Sequence, residues 1–148
     1  MAGMIETLAV AAVLLNPAVQ PATISTTVCV ANYTATVRPP VTYTNRIKYA
    51  LLKQRGLSWS AASDYELDHH VPLALGGHPT NPQNLRLQPW AGPCNAHDKD
   101  VLESALHRAV CAGTVPLAVA QHAIDTDWPA AYVKYVRKPL QCPAGTAP

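Results

Sequence analysis

The chain has 148 residues, of which 14% are charged, and a formal net charge of +2 at pH 7. This length fits a single domain with one core, and so small a net charge does not by itself indicate a nucleic-acid-binding protein. The distribution of charge is more informative, because no acidic residue occurs between Thr7 and Ser63. The basic residues in that interval are Arg38, Arg46, Lys48, Lys53 and Arg55. Six carboxylates are then concentrated between residues 64 and 103: Asp64, Glu66, Asp68, Asp98, Asp100 and Glu103. A basic flank beside an acidic pocket suits a metal ion acting on a phosphate backbone, although ordinary solvated charge explains the pattern equally well.

The N-terminal residues contain a short apolar run, Leu8 to Leu15. It is too short to span a bilayer and resembles the central region of a secretory signal. Glu6 precedes it and no Lys or Arg does, which is atypical of such signals, so a plain apolar helix is the alternative. We predict a signal-like or flexible segment over 1–22, a domain over 23–138 and a flexible tail over 139–148. The expected location is secreted or in the cell envelope without stable membrane insertion, with a phage or cytoplasmic context as the alternative.

The first elements of the domain are predicted from composition and spacing. Thr23 to Val37 is rich in threonine and valine, which favours extended or β structure. The following segment TNRIKYALLKQRG has helical spacing of its apolar residues, with Thr44 as a candidate cap and Gly56 as a candidate terminator. We therefore expect one helix before the acidic region.

The central and C-terminal elements form the order strand, loop, strand, helix. DYELDHHV and NLRLQP are predicted strands, and a loop containing Gly76 and Gly77 lies between them. A helix is predicted from about Asn95 to Ala112, because its apolar residues recur at helical spacing. Two further helices are predicted, one after Pro116 and one in PAAYVKYVRK. The predicted fold class is α+β.

The four cysteines contain no C-x-x-C pair, which argues against a structural zinc protein. An even number of cysteines in a small domain fits two disulfides and an oxidising compartment. Buried free thiols in a cytosolic protein are the alternative.

The stretch between the predicted strands concentrates groups that could hydrolyse a phosphodiester. Its sequence is YELDHHVPLALGGHPTNPQNL, residues 65–85. Such hydrolysis needs a base for water and positive charge for the phosphate and the leaving oxygen. A neutral histidine is matched to pH 7, and oxygen ligands suit a hard ion such as Mg²⁺. Asp68, His69 and Asn95 could supply these parts.

The helix after the second strand carries further polar residues on one face. Asn95, Lys99 and Glu103 are each four positions apart, so a metal ligand, a phosphate-reaching cation and an outer carboxylate could share one edge. Two simpler interpretations stand beside this one. Asn95 with Asp98 fits a helix N-cap, and Lys99 with Glu103 fits an ordinary surface pair.

The order D-H-x-x-P-L, Gly-Gly, N-L and helix resembles the HNH, or ββα-metal, nuclease superfamily. The matching residues are Asp68, His69, Pro72, Leu73, Gly76, Gly77, Asn84 and Leu85. Together with TVCVANYTATVRPPVTYTNRIK and KDVLESALHRAVCAGTVPLAVAQHAIDTDWPAAYVKY, the motif looks like a bacterial, often exported, HNH-type family. This resemblance covers about Thr26 to Tyr135. It implies a small ββα-metal hairpin-plus-helix core with additional N- and C-terminal helices.

The resemblance implies a role for each matched polar residue. His69 would be the general base and Asp68 a ligand of Mg²⁺, or of Mn²⁺ or another divalent ion. Asn84 would tie the loop that orients His69. The third position departs from the commonest pattern, so Asn95 is predicted as the second metal ligand and His97 as the reserve.

The neighbouring polar residues receive supporting roles or none. Arg86 could contact phosphate or face solvent, and Glu66 could support the metal or pair with an arginine. His70 is interpreted as a supporting or packing residue, with Lys99 and Glu103 as supporting residues on the helix. The histidines His78, His107 and His122 are interpreted as exposed or surface residues.

The shared framework also implies a disulfide pattern, which is one of three pairings that four cysteines allow. Cys29 would join Cys111, and Cys94 would join Cys142.

The predicted function is metal-dependent endonucleolytic hydrolysis of DNA with little sequence specificity. Nucleic acid is the expected partner. The alternative is an exported binding or structural protein on a degenerate HNH scaffold.

Overall fold

The computed structural model describes residues 10–144, which combine helices with one small antiparallel sheet. This agrees with the predicted α+β class. The two strands pair in a register from Tyr65 opposite Pro89 to His69 opposite Leu85. The elements, in chain order, are α1 (Tyr33–Val37), α2 (Val41–Gln54), β1 (Tyr65–His69), β2 (Leu85–Pro89), α3 (Ala96–Cys111) and α4 (Leu117–Val136).

The segment 23–37 consists of two short helices joined by turns, so the prediction of extended structure was wrong. A 3₁₀ helix spans Pro21–Thr26, and α1 follows it. The threonines turn their hydroxyls back onto nearby carbonyls: Thr27 bonds to Thr23 at 2.7 Å, and Thr36 bonds to Tyr33 at 2.6 Å. Such local bonds compete with strand pairing, and the β preference of threonine needs a neighbouring strand to be realised.

The helix predicted after the double proline is α2. It begins at Val41, directly after Pro40, so Thr44 lies inside it and bonds back to the carbonyl of Val41. Gly56 has φ of +72°, and the amide of Leu57 bonds to the carbonyl of Leu52 at 2.9 Å. This left-handed turn is the usual helix ending that glycine permits, so the predicted terminator is confirmed.

The main core lies between α3 and α4, with Leu102, Leu106 and Ile124 fully buried. The two predicted C-terminal helices are the two halves of α4, which bends at Asp127 (φ −157°, ψ 81°). Asp127 accepts a hydrogen bond from the amide of Ala130 at 3.1 Å and so caps the second half. A smaller cluster of Leu52, Ala62 and Leu87 attaches α2 to the hairpin.

The described part of the N-terminal segment lies against the loop between the strands. Leu15 forms an isolated bridge with Gly77, and the amide of Asn16 donates to the carbonyl of Gly76 at 2.8 Å. Val19 is 4% exposed. Residues 1–9, which hold the start of the predicted signal-like segment, lie outside the described residues, as do residues 145–148 of the predicted tail. The boundary predicted at residue 22 therefore does not coincide with a break in packing.

Two disulfides hold the two ends of the domain. Cys29 is bonded to Cys111, and Cys94 is bonded to Cys142, as the predicted pairing has it. Bridges that close long loops typically contribute about 2–4 kcal/mol each. They also suggest an oxidising environment. Across residues 10–144, no helix combines the length and apolarity needed to cross a membrane.

Replacing Gly77 with alanine should destabilise the domain by about 3 kcal/mol or more, because overpacking against rigid backbone is costly. A Cβ at Gly77 would overlap the carbonyl oxygen of Val71 and press on the amide of Asn84. The matched control is Gly56→Ala, where nothing lies within 4 Å of the added methyl. That control should lose only about 1–2 kcal/mol through its positive φ. Equal midpoints of urea unfolding for the two variants would contradict this packing argument.

Candidate active site

A cleft of about 290 Å³ opens between β1, α3 and the end of α1. Its polar lining includes Arg38, Glu66, Asp68, His69, Asp100 and Glu103. Three of these residues come from β1: Glu66 and Asp68 are two positions apart and so share one face of the strand, and His69 is its last residue. Asp100 and Glu103 are three positions apart on α3, so they lie on one face of that helix.

The His69 side chain is 8% exposed and is held by the backbone of the loop. Its Nε2 lies 2.9 Å from the carbonyl oxygen of Pro79. A carbonyl can only accept, so Nε2 carries the hydrogen, and Nδ1 of the neutral ring is the unprotonated nitrogen. Burial lowers the pKa of His69, and the bond to Pro79 and the charge of Asp68 oppose that shift. The ring is therefore a neutral proton acceptor near pH 7.

Asn84 is fully buried and spans the base of the loop between the strands. Its Oδ1 accepts from the amide of Val71 at 2.8 Å, and its Nδ2 donates to the carbonyls of Val71 and His78 at 3.0 Å each. These bonds fix the residue next to Pro79, whose carbonyl in turn holds His69. The contacts have the loop-tying form that the resemblance implied, and their catalytic importance stays a prediction.

Asp68 is buried in an ion pair with a lysine of α3. Lys99 Nζ lies 2.5 Å from Asp68 Oδ2 and 2.9 Å from the carbonyl oxygen of His69. Lys99 is 1% exposed, so its interpretation as an ordinary surface residue was wrong. Its ammonium joins α3 to the end of β1 at the cleft.

The remaining carboxylates of the cleft repel one another. Burial, followed by the charges of Asp68 and Asp100, raises the pKa of Glu66 to about 7. Burial also raises the pKa of Glu103; the charge of Lys99 opposes this, and Asp68 and Asp100 add to it. Glu66 Oε2 is buried and has no hydrogen-bond partner. The cleft therefore disfavours the ionised forms of Glu66 and Glu103, and burial is the main cause.

Asn95 and His97 do not belong to the lining of the cleft. Asn95 Oδ1 accepts from the amide of Asp98 at 3.1 Å, and Asn95 Nδ2 donates to the carbonyl of Gly92 at 2.9 Å. The capping interpretation is thus confirmed. His97 is exposed, and its ring lies against that of Trp90 at a centroid distance of 4.9 Å.

Arg86 and His70 lie outside the cleft and form a separate network. Arg86 Nη1 donates to His70 Nδ1 at 3.0 Å, and His70 Nε2 lies 2.9 Å from Asp125 Oδ1. Arg86 Nη2 donates to Gln88 Oε1 at 2.8 Å. Burial, followed by the charge of Arg86, lowers the pKa of His70, and Asp125 opposes that shift. The network fastens the hairpin to α4, which agrees with a supporting role for His70.

Three charged or titratable residues of the cleft, Arg38, Asp100 and His107, were not predicted as site residues. Asp100 and His107 share a face of α3 with Glu103, so helical periodicity alone could have indicated them. His107 is half-buried, and its Nε2 donates to the carbonyl of Val28 at 2.6 Å, so its interpretation as a surface residue was wrong. Arg38 lies just before the double proline, and no local signal in the sequence places it at the cleft.

The donor atoms of the cleft fit a hard divalent cation. Within residues 10–144, no three His, Cys, Asp or Glu side chains are arranged together as a metal site. Mg²⁺ does not require such a cage, because it keeps several waters and usually binds one or two carboxylates with substrate phosphate. The buried, unpartnered oxygen of Glu66 is the observation that favours a cation here.

Comparison with known proteins found no matching family model, no matching curated protein and no matching solved structure.

Glu66→Gln should flatten the dependence of stability on pH between about 4.5 and 7. An acid whose pKa is raised on folding binds more protons in the folded state, so wild-type stability should fall as pH rises through this interval. At pH 8 the variant should therefore have a higher Tm than the wild type, and at pH 4 the two should agree. Mg²⁺ or Mn²⁺ should raise the wild-type Tm more at pH 8 than at pH 5. An ion-induced rise of equal size in Glu66→Gln would contradict a role for this carboxylate in cation binding.

Proposed function

We propose that this protein is a metal-dependent endonuclease that hydrolyses phosphodiester bonds of DNA. The observation that carries the proposal is His69, a buried neutral imidazole whose tautomer is set by Pro79 and which lines a cleft rich in carboxylates. The hairpin of β1 and β2 is followed by helix α3, and His69 lies at the end of β1. This arrangement supports assignment to the ββα-metal class. The two disulfides support export to an oxidising compartment.

His69 acts as the general base in this proposal. Its unprotonated Nδ1 accepts a proton from water as that water attacks phosphorus. The bond to Pro79 holds the ring in position during the transfer, and Asn84 holds the loop that carries Pro79. A positioned base of this kind typically contributes about 100- to 10,000-fold in rate.

The carboxylates of the cleft would hold the cation. Glu66 is the first candidate, because its buried Oε2 has no hydrogen-bond partner. Asp100 and the oxygen of Asp68 that does not face Lys99 are the other candidates in the same cleft. This set replaces the pair Asp68 and Asn95 expected from the sequence, because both polar atoms of the Asn95 side chain are used in capping. A bound divalent cation would stabilise the leaving 3′ oxygen and the charge on the phosphate.

Arg38 supplies the phosphate contact in place of Arg86. Its side chain is exposed and lies at the cleft, and a guanidinium can bind two phosphate oxygens at once. Contacts to phosphate position a nucleic acid and carry no sequence information. Little sequence specificity is therefore expected.

A second candidate function, nucleic-acid binding without hydrolysis, is favoured by one observation. Lys99 already places a positive charge 2.5 Å from the carboxylate that the resemblance assigns to the metal. On this alternative the ion pair is a structural replacement for the cation.

The discriminating experiment is incubation of the full chain with supercoiled plasmid, with Mg²⁺ or Mn²⁺ and in parallel with excess EDTA. The nuclease proposal predicts nicked and then linear plasmid, 5′-phosphate ends and complete inhibition by EDTA. Binding of plasmid without nicking in any divalent ion would overturn it in favour of the second candidate. A parallel RNA substrate determines whether the preference is for DNA.

A further inference from the structure

Helix α2 carries an exposed group of aromatic and basic side chains outside the cleft. Arg46, Tyr49 and Lys53 are three and four positions apart, so they share one side of the helix, and all three are exposed. Trp59 lies beside them, with its ring centroid 6.4 Å from that of Tyr49 and a tilt of 40° between the planes. These four residues are called the α2 surface below.

The exposure of these rings is not required by the packing of α2. The inward side of the helix is already occupied, because Leu52 is 1% exposed in the cluster with Leu87 and Lys48 donates to the carbonyl of Tyr65 at 2.7 Å. Tyr49 and Trp59 are nevertheless 54% and 44% exposed. Large exposed aromatic groups of this kind usually mark a contact surface.

The charge around these rings favours a polyanion as the partner. No acidic residue lies between Thr7 and Ser63, so no carboxylate of that interval neutralises Arg46 or Lys53. Arg38, three residues before α2, lines the cleft, and no acidic residue separates it in the chain from Arg46 and Lys53.

We propose that the α2 surface binds a single-stranded segment of the nucleic acid whose backbone enters the cleft. Unpaired bases stack on Tyr49 and Trp59, and the neighbouring phosphates contact Arg46 and Lys53. Arg46 to Lys53 spans about 10 Å of helix, so the two basic side chains can contact different phosphates of one strand. A duplex keeps its bases stacked inside, so the rings select unpaired segments. The identity of the polyanion rests on the proposed nuclease function.

Binding can be measured without hydrolysis, in EDTA, by the fluorescence anisotropy of a labelled oligothymidylate of about twelve nucleotides. Tyr49→Ala/Trp59→Ala should raise Kd by about 10-fold or more, the loss typical of stacked bases. The matched control is Val101→Ala/Val133→Ala, which trims two exposed apolar side chains elsewhere and should leave Kd unchanged.

The basic pair has its own measurement, the dependence of Kd on salt. Arg46→Ala/Lys53→Ala should lower the slope of log K against log salt by about 1.4, as expected for two phosphate contacts to a single strand. Arg108→Ala/Lys138→Ala removes the same charge from exposed positions of α3 and the C-terminal segment and should leave the slope close to that of the wild type.

Two results would overturn the proposed role of the α2 surface. One is an unchanged Kd for the oligonucleotide in Tyr49→Ala/Trp59→Ala. The other is that this variant loses binding to phosphatidylglycerol vesicles, which test an anionic lipid surface as the partner, while its oligonucleotide binding stays intact. These outcomes are separate from those of the nuclease proposal. Oligonucleotide binding through α2 without plasmid cleavage would overturn the nuclease and support the surface. Plasmid cleavage by the wild type, together with full oligonucleotide binding by the α2 variants, would support the nuclease and overturn the role of the α2 surface.

Discussion

His69→Ala should lower the rate of plasmid cleavage by about 100- to 10,000-fold, the range that a positioned general base contributes. The buried ring has its Nε2 hydrogen bonded to Pro79, which leaves Nδ1 to accept the proton of the attacking water. Alanine removes that acceptor and the bond to the loop together. The measurement is the initial rate of nicking at saturating Mg²⁺, with unfolding midpoints recorded to verify that the variant is folded.

The control for this prediction is His122→Ala, a change on α4 at a residue that does not line the cleft. It should retain the wild-type rate. Equal nicking by wild type and His69→Ala would refute the assignment of the base.

The pH profile provides a second measure of the same role. A general base works in its deprotonated form, so wild-type cleavage should rise with pH through the pKa of His69 and then level off. Burial lowers that pKa below its ordinary value of 6.5, so the rise should lie on the acidic side of 6.5. The residual activity of His69→Ala should not show that rise.

Lys99→Met should cost about 3–5 kcal/mol of stability, the usual result of leaving one partner of a buried ion pair without the other. Lys99 is 1% exposed and its ammonium serves both Asp68 and the carbonyl of His69. Methionine preserves much of the volume of the side chain, so the loss reports the missing charge. Urea unfolding at pH 7 measures it.

Two measurements distinguish a lost ion pair from a packing defect as the cause of the lower stability of Lys99→Met. The double variant Asp68→Asn/Lys99→Met should recover part of the loss, since it leaves no unpaired carboxylate. The deficit of Lys99→Met should also shrink at acidic pH, because an isolated buried carboxylate has a raised pKa and becomes neutral there. A deficit that is the same at pH 4 and pH 7 would indicate packing instead.

Local patterns were sufficient for most of the secondary structure. The strands around the Gly-Gly loop, the helix after Pro93 and the ending of α2 at Gly56 are all found where spacing and turn residues predicted them. These features are determined by residues that are close together in the sequence, so they can be predicted from one sequence. The exception is the segment 23–37, where threonine and valine favoured a strand, but no partner strand is present in the described residues.

The sequence by itself identified the α+β class and the polar hairpin that holds Asp68 and His69. The disulfide pairing that the structure contains was implied by the family resemblance, since the cysteine spacing alone allows three pairings. Tertiary structure alone decided which residues share the cleft. Arg38 and Glu66 are 28 positions apart in the sequence, and only the packing of α1 against the hairpin brings them to one cleft. Likewise, the side chain of Asn95 could serve as a metal ligand or as a helix N-cap, and its bonds to Asp98 and Gly92 show that it is the cap. Contacts between distant parts of the chain leave no periodicity in the sequence, so neighbouring residues predict elements but not the site that those elements enclose.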